Sequence, residues 1–149
     1  MSQATREDAD LILKLYELRR EETMRKARRF MIGEFYCESG KEFIEKYPPG
    51  SDQNAWFRQV MSYWDMVAAF VNKGLLNAEL LFETNAEFRI FWEKARATIL
   101  DQRKARNHPF LFKNYEDLVA AHTAFVEKRA PGSSKFYASF NQPPAGKKS

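Results

Sequence analysis

The chain has 149 residues, 30% of them charged and 15% aromatic, with a formal net charge of +4. That length suits one domain with its own core, and the aromatic content excludes a disordered chain. The single cysteine, Cys37, excludes an internal disulfide and points to a reducing compartment. The start carries no signal-peptide apolar run, and no stretch approaches the roughly 18 apolar residues of a membrane span. The expected location is the cytoplasm.

Thr5, with Asp8 three residues on, opens the first helix as a capping box. No breaker follows before Gly33, so the pattern predicts one long N-terminal helix of about 45 Å. Ile12, Tyr16, Ala27 and Phe30 form its expected core stripe, with Leu13, Met24 and Met31 beside it. Leu11, Leu15 and Leu18 share a second face of the early turns. Ser39 and Glu42 box the start of a short helix that Tyr47-Pro48-Pro49-Gly50 ends. Ser51 or Asp52 caps a strong helix that stops before Gly74, with a stripe of Trp56, Val60, Tyr63, Val67, Phe70 and Val71 flanked by Phe57 and Trp64.

Asn77 caps a brief helix stapled by Leu76 and Leu81. The next runs from about Ala86 to Arg106 on Phe88, Phe91, Trp92, Ala95 and Ile99. Asn114 is expected to cap the last, from Tyr115 to about Arg129. No strand alternation or hairpin signal occurs. The fold class is therefore all-α, an irregular bundle of about five or six helices over 1–129, followed by an irregular tail over 130–149 that holds Phe136, Tyr137 and Phe140.

No catalytic constellation is present. His108 and His122 are far apart, no Glu-x-x-His pair occurs, and His122 lies on an apolar helix face, so no metal is expected. Cys37 reads as a small buried hydrophobe, and Glu79, Glu83 and Glu87 as a solvated face. No glycine-rich phosphate loop opens a helix, so no cofactor is expected. Lys14, Arg25, Arg28 and Arg29 form a possible phosphate-contact face, and residues 89–106 add further cations. Interleaved acids, with Glu21–Arg25 and Glu22–Lys26 at i,i+4 spacing, make a solvated helix the plainer reading.

Leu15-Tyr16-Glu17-Leu18-Arg19-Arg20, Lys26-Ala27-Arg28-Arg29-Phe30, Lys73-Gly74-Leu75-Leu76, Phe91-Trp92, and Arg103-Lys104-Ala105-Arg106 through Tyr115-Glu116-Asp117-Leu118 carry a resemblance. Over roughly residues 11–120 the chain resembles an uncharacterised bacterial family, a helical domain of unknown function. Many members of that family carry an N-terminal membrane helix that this sequence lacks. The resemblance implies an all-α fold and transfers no activity, cofactor or site residue.

The sequence thus points to a non-enzymatic cytoplasmic interaction or regulatory domain, with nucleic-acid binding through the basic faces as the alternative. Two apolar faces on one helix call for cover on both sides. Leu11, Leu15 and Leu18 are expected to meet either the aromatic tail or, by preference, a second copy in a homodimer.

Overall fold

In the computed structural model, residues 3–146 are described, and among them helices and loops account for all secondary structure, with no strand. Eight helices follow in order: α1 (Arg6–Arg19), α2 (Glu22–Gly33), α3 (Gly40–Lys46), α4 (Asp52–Asn72), α5 (Ala78–Thr84), α6 (Glu87–Ala105), α7 (Lys113–Arg129) and α8 (Lys135–Ala138). The all-α expectation holds. The number of helices is larger than expected because the first helix is two and because the tail contains a helical turn.

The break between α1 and α2 involves neither glycine nor proline. Glu21 adopts ψ 144° and turns its carboxylate back to accept from Thr23 N and Met24 N, which caps α2. Its pKa is lowered by those two backbone donors. Arg28 Nη1 reaches the Arg19 carbonyl at 3.3 Å and satisfies the end of α1. A tertiary contact and one side-chain cap therefore stop the helix where local propensity would have continued it. The expected Glu21–Arg25 pairing gives way to this cap, while Glu22–Lys26 forms on the exposed side at 3.6 Å.

α4 is the centre of the bundle, with α2 and α7 packed along it; α3, α7 and α8 contact α6, and α1 lies against α2 and α5. Its deepest residues are Phe57, Val60, Met61, Trp64, Val67 and Ala68. Trp56, Tyr63, Phe70 and Val71, expected at the centre of its stripe, are half-buried at the edges. A helix covered on two sides buries a wider arc than one stripe.

Phe30, Phe35, Phe43, Tyr47 and Phe57 form a closed aromatic cluster, with ring centroids 4.6 Å apart for Phe43–Phe57 and 5.2 Å for Phe35–Phe57. Gly40 lets α3 approach α6: its N–H donates to Asp101 Oδ2 at 2.8 Å, and a Cβ there would stand 2.9 Å from Asp101 Cβ.

Asn114 does not cap α7. The helix begins at Lys113 behind Phe112, which takes the left-handed conformation at φ 52°. Asp65 of α4 accepts instead from Tyr115 N at 3.0 Å. The tail is not wholly irregular. Glu127 accepts from Gly132 N, Ser134 N and the Ser134 hydroxyl, which lowers its pKa to about 2. This folds α8 back so that Tyr137 packs on His122 and on the Arg89 guanidinium.

Candidate interaction site

Along α1 successive residues turn by about 100°. Leu11 and Ile12 therefore flank Leu15 on either side, and the two faces read from the sequence are one broad face with Leu15 at its centre. Leu15 is buried at 5% exposure, while Leu11 and Ile12 pack half-buried against the core. Leu13, Tyr16 and Leu18 are exposed at 61%, 51% and 45%. This corrects the expected roles. Leu15 is a core residue, and the expected core residues Leu13 and Tyr16 are the ones left in solvent. Among the described residues no part of the tail lines this region, and Tyr137 packs on α6 and α7 instead.

Between α1, α4 and α5 lies a groove with a volume of about 180 Å³, lined by Leu13, Leu15, Tyr16, Trp64 and Leu81 among others, with Arg19 also in its wall. Two donors of its lining are unpaired: Trp64 Nε1 and Arg19 Nε are buried and have no hydrogen-bond partner among the described residues. Such groups ordinarily find an acceptor when buried. The Arg19 guanidinium lies 5.3 Å from the rings of both Tyr16 and Trp64.

The α1 end is held by charge as well as packing. Asp8 accepts from Thr5 N at 2.8 Å and from Asn77 N at 2.9 Å, joining the start of α1 to the start of α5. Those donors, Thr5 first and then Asn77, keep its pKa below the ordinary carboxylate value. Glu87 at the start of α6 binds Arg28 through Nε at 2.9 Å and Nη2 at 2.7 Å, with Arg19 Nη1 3.7 Å away. Tyr63 donates to the Leu15 carbonyl at 2.7 Å. Burial pushes its pKa up to about 12.

The basic face is less available than its sequence suggests. Lys14, Arg25 and Arg29 are exposed, but Arg28 is tied to Glu87. In the second basic stretch Arg89 pairs with Glu93, Lys94 Nζ donates to the Ile32 carbonyl at the end of α2, and Arg103 pairs with Glu116. Glu87 is a half-buried anchor for Arg28, and Glu79 and Glu83 pair with Arg129. Sequence spacing showed where these charges lie along a helix but not which partner a distant helix supplies.

His122 is buried among Phe82, Phe88, Phe125 and Tyr137. Burial first, then the Arg89 charge, lowers its pKa to about 4. Cys37 is buried too, and desolvation raises its thiol to about 12, with Glu42 adding to the shift. That thiol is protonated at neutral pH and poorly nucleophilic. Among the described residues no group of three His, Cys, Asp or Glu side chains is placed to hold a metal. No described helix is long and apolar enough to cross a membrane.

The model of a family described as a domain of unknown function, DUF4760, matches residues 4–122, from the cap of α1 to within α7. No curated protein and no solved structure matches the chain. The chain belongs to the DUF4760 family.

Proposed function

We propose that this member of the DUF4760 family is a non-enzymatic, cytoplasmic protein-interaction domain, and that the groove beside α1 is its contact site. The observation that carries the reading is the combination of an apolar groove with exposed apolar side chains at its rim. Exposed apolar patches rimmed by charge mark association surfaces. The groove, about 180 Å³ in volume, has room for apolar side chains of a partner.

The occupant is a second copy of this chain. Knob and hole lie on one helix: Leu13 and Tyr16 line the groove and also project from it. A two-fold axis across α1 sets the knobs of each copy at the groove of the other, which is the self-complementarity an isologous dimer needs. The cations support nucleic-acid binding less well, since Arg28 is occupied by Glu87.

Leu15→Glu does not test this, because it places a charge in the core. Leu13→Glu and Tyr16→Glu do. Light scattering is expected to give twice the 17.5 kDa chain mass for the parent protein and the single-chain mass for both variants, with helical circular dichroism unchanged. A parent protein that remains a single chain at high concentration contradicts the proposed dimer.

A further inference from the structure

We propose that the cleft between α3, α4, α6 and the loop after α6 binds a small organic phosphate with a planar body, of the size and chemistry of a nucleoside monophosphate. This site is separate from the α1 groove. Its volume is about 510 Å³, within the range of about 300–1,000 Å³ usual for small-molecule sites.

The charge on its walls gives the sign of the ligand. Arg58 of α4 and Arg106 at the end of α6 line the cleft, and no carboxylate does. Both side chains are exposed, and among the described residues neither guanidinium has an acidic partner. Two uncompensated cations in one concavity favour an anion.

Arg58 is oriented in advance. Asn54, buried at 6% exposure, donates from Nδ2 to the Tyr47 carbonyl at 2.9 Å and accepts from Arg58 Nε at 3.1 Å. The chain from Tyr47 through Asn54 directs one edge of the guanidinium and leaves both Nη groups for a ligand. Arg106 has no side-chain hydrogen bond among the described residues, so all its donors remain. A carboxylate fills one guanidinium fork, whereas a phosphate monoester has three oxygens and the charge for two.

The rest of the cleft suits a planar body. Phe112 and Leu111, both half-buried, are among its apolar lining, and the carboxamides of Gln59 and Gln102 stand there with no side-chain partner among the described residues. Carboxamides offer a donor and an acceptor side by side, the pattern that a heterocyclic edge presents in return. The half-buried Phe112 ring gives such a body an aromatic surface to stack on.

The test is isothermal titration of the full chain with the four nucleoside 5′-monophosphates, with the corresponding nucleosides and inorganic phosphate alone, and with a 5′-phosphorylated oligonucleotide. At least one monophosphate is expected to bind saturably, and its nucleoside and inorganic phosphate at least about tenfold more weakly, since each lacks half the contacts. Arg58→Ala and Arg106→Ala should each weaken binding by about tenfold or more, as expected for a lost charge-assisted hydrogen bond. Arg58→Lys should fail to restore it, because an ammonium cannot reproduce the fork. Circular dichroism verifies that each variant is folded, and Tyr16→Glu should leave binding unchanged, which separates this result from the fate of the α1 groove. Absence of binding at millimolar monophosphate, binding untouched by both arginine substitutions, or tighter binding of the oligonucleotide would each overturn the proposal.

Discussion

The aromatic cluster of α2, α3 and α4 and the groove beside α1 lie in the same small bundle but are finished to different degrees. In the cluster Phe35 meets Phe30, Tyr47 and Phe57 at centroid distances of 5.9, 5.7 and 5.2 Å, and Phe35 and Phe57 are at most 1% exposed. In the groove about 180 Å³ is left open, two buried donors have no partner, and Leu13 and Tyr16 face solvent. Where packing is complete, the side chains serve the fold. Where it is incomplete, the same residue types remain available to another molecule.

The largest expected effect lies on the finished side. Phe57→Ala should lower stability by about 3–5 kcal/mol in urea unfolding, from lost transfer energy and the cavity left behind. Tyr16→Ala, of similar side-chain size but on the groove rim, should stay within about 0.5 kcal/mol in a dilute single-chain sample. Equal losses at the two positions would break the comparison.

His122 of α7, packed among aromatic rings, makes the bundle sensitive to acid. Its folded pKa of about 4 lies below the ordinary 6.5, so the folded state resists a proton that the unfolded chain accepts. The penalty is absent above pH 6.5, grows as pH falls below it, and levels off below pH 4. The lost stability is on the order of 3 kcal/mol at full extent. Unfolding free energies of the parent protein and His122→Leu, measured across that window, should diverge in slope, with the variant flatter. Parallel curves would show that His122 is not held neutral by its surroundings.

Glu87 joins the two regions, since it starts α6 and holds Arg19 and Arg28 at the end of α1. Glu87→Gln should cost about 2 kcal/mol in the same unfolding measurement, because two partly buried cations lose their counter-charge. Hydrogen exchange should show the loss concentrated at the α1–α2 junction. A smaller loss than at Glu87 is expected at Gly40, where Gly40→Ala should cost about 1 kcal/mol as the new Cβ presses on Asp101.

Local chemistry was legible in the sequence. Thr5, Ser39, Ser51 and Asn77 each accept from the backbone as a helix cap. Gly74 takes the left-handed position after α4. Phe88, Phe91, Trp92, Ala95 and Ile99 are all buried on α6. What escaped was set by distant partners. The break at Glu21 depends on Arg28 meeting the end of α1, and the start of α7 on Asp65. The α1 faces were misassigned because seven apolar or aromatic residues crowd four turns, and periodicity alone does not say which of them a neighbouring helix covers. The groove could be suspected from that excess of apolar surface, but Leu15 was placed on the wrong side of it. The cleft with Arg58 and Arg106 left no local signal, since its residues come from three helices and a loop.

The central claim is that the α1 groove is completed by a second copy of the chain. Hydroxyl-radical labelling read by mass spectrometry over a range of protein concentrations tests it residue by residue. Leu75 and Phe110, exposed at 66% and 73% away from the groove, serve as internal references. Labelling of Leu13 and Tyr16 is expected to fall as concentration rises, while Leu75 and Phe110 stay constant. Labelling of Leu13 and Tyr16 that stays constant across the same range would contradict the account.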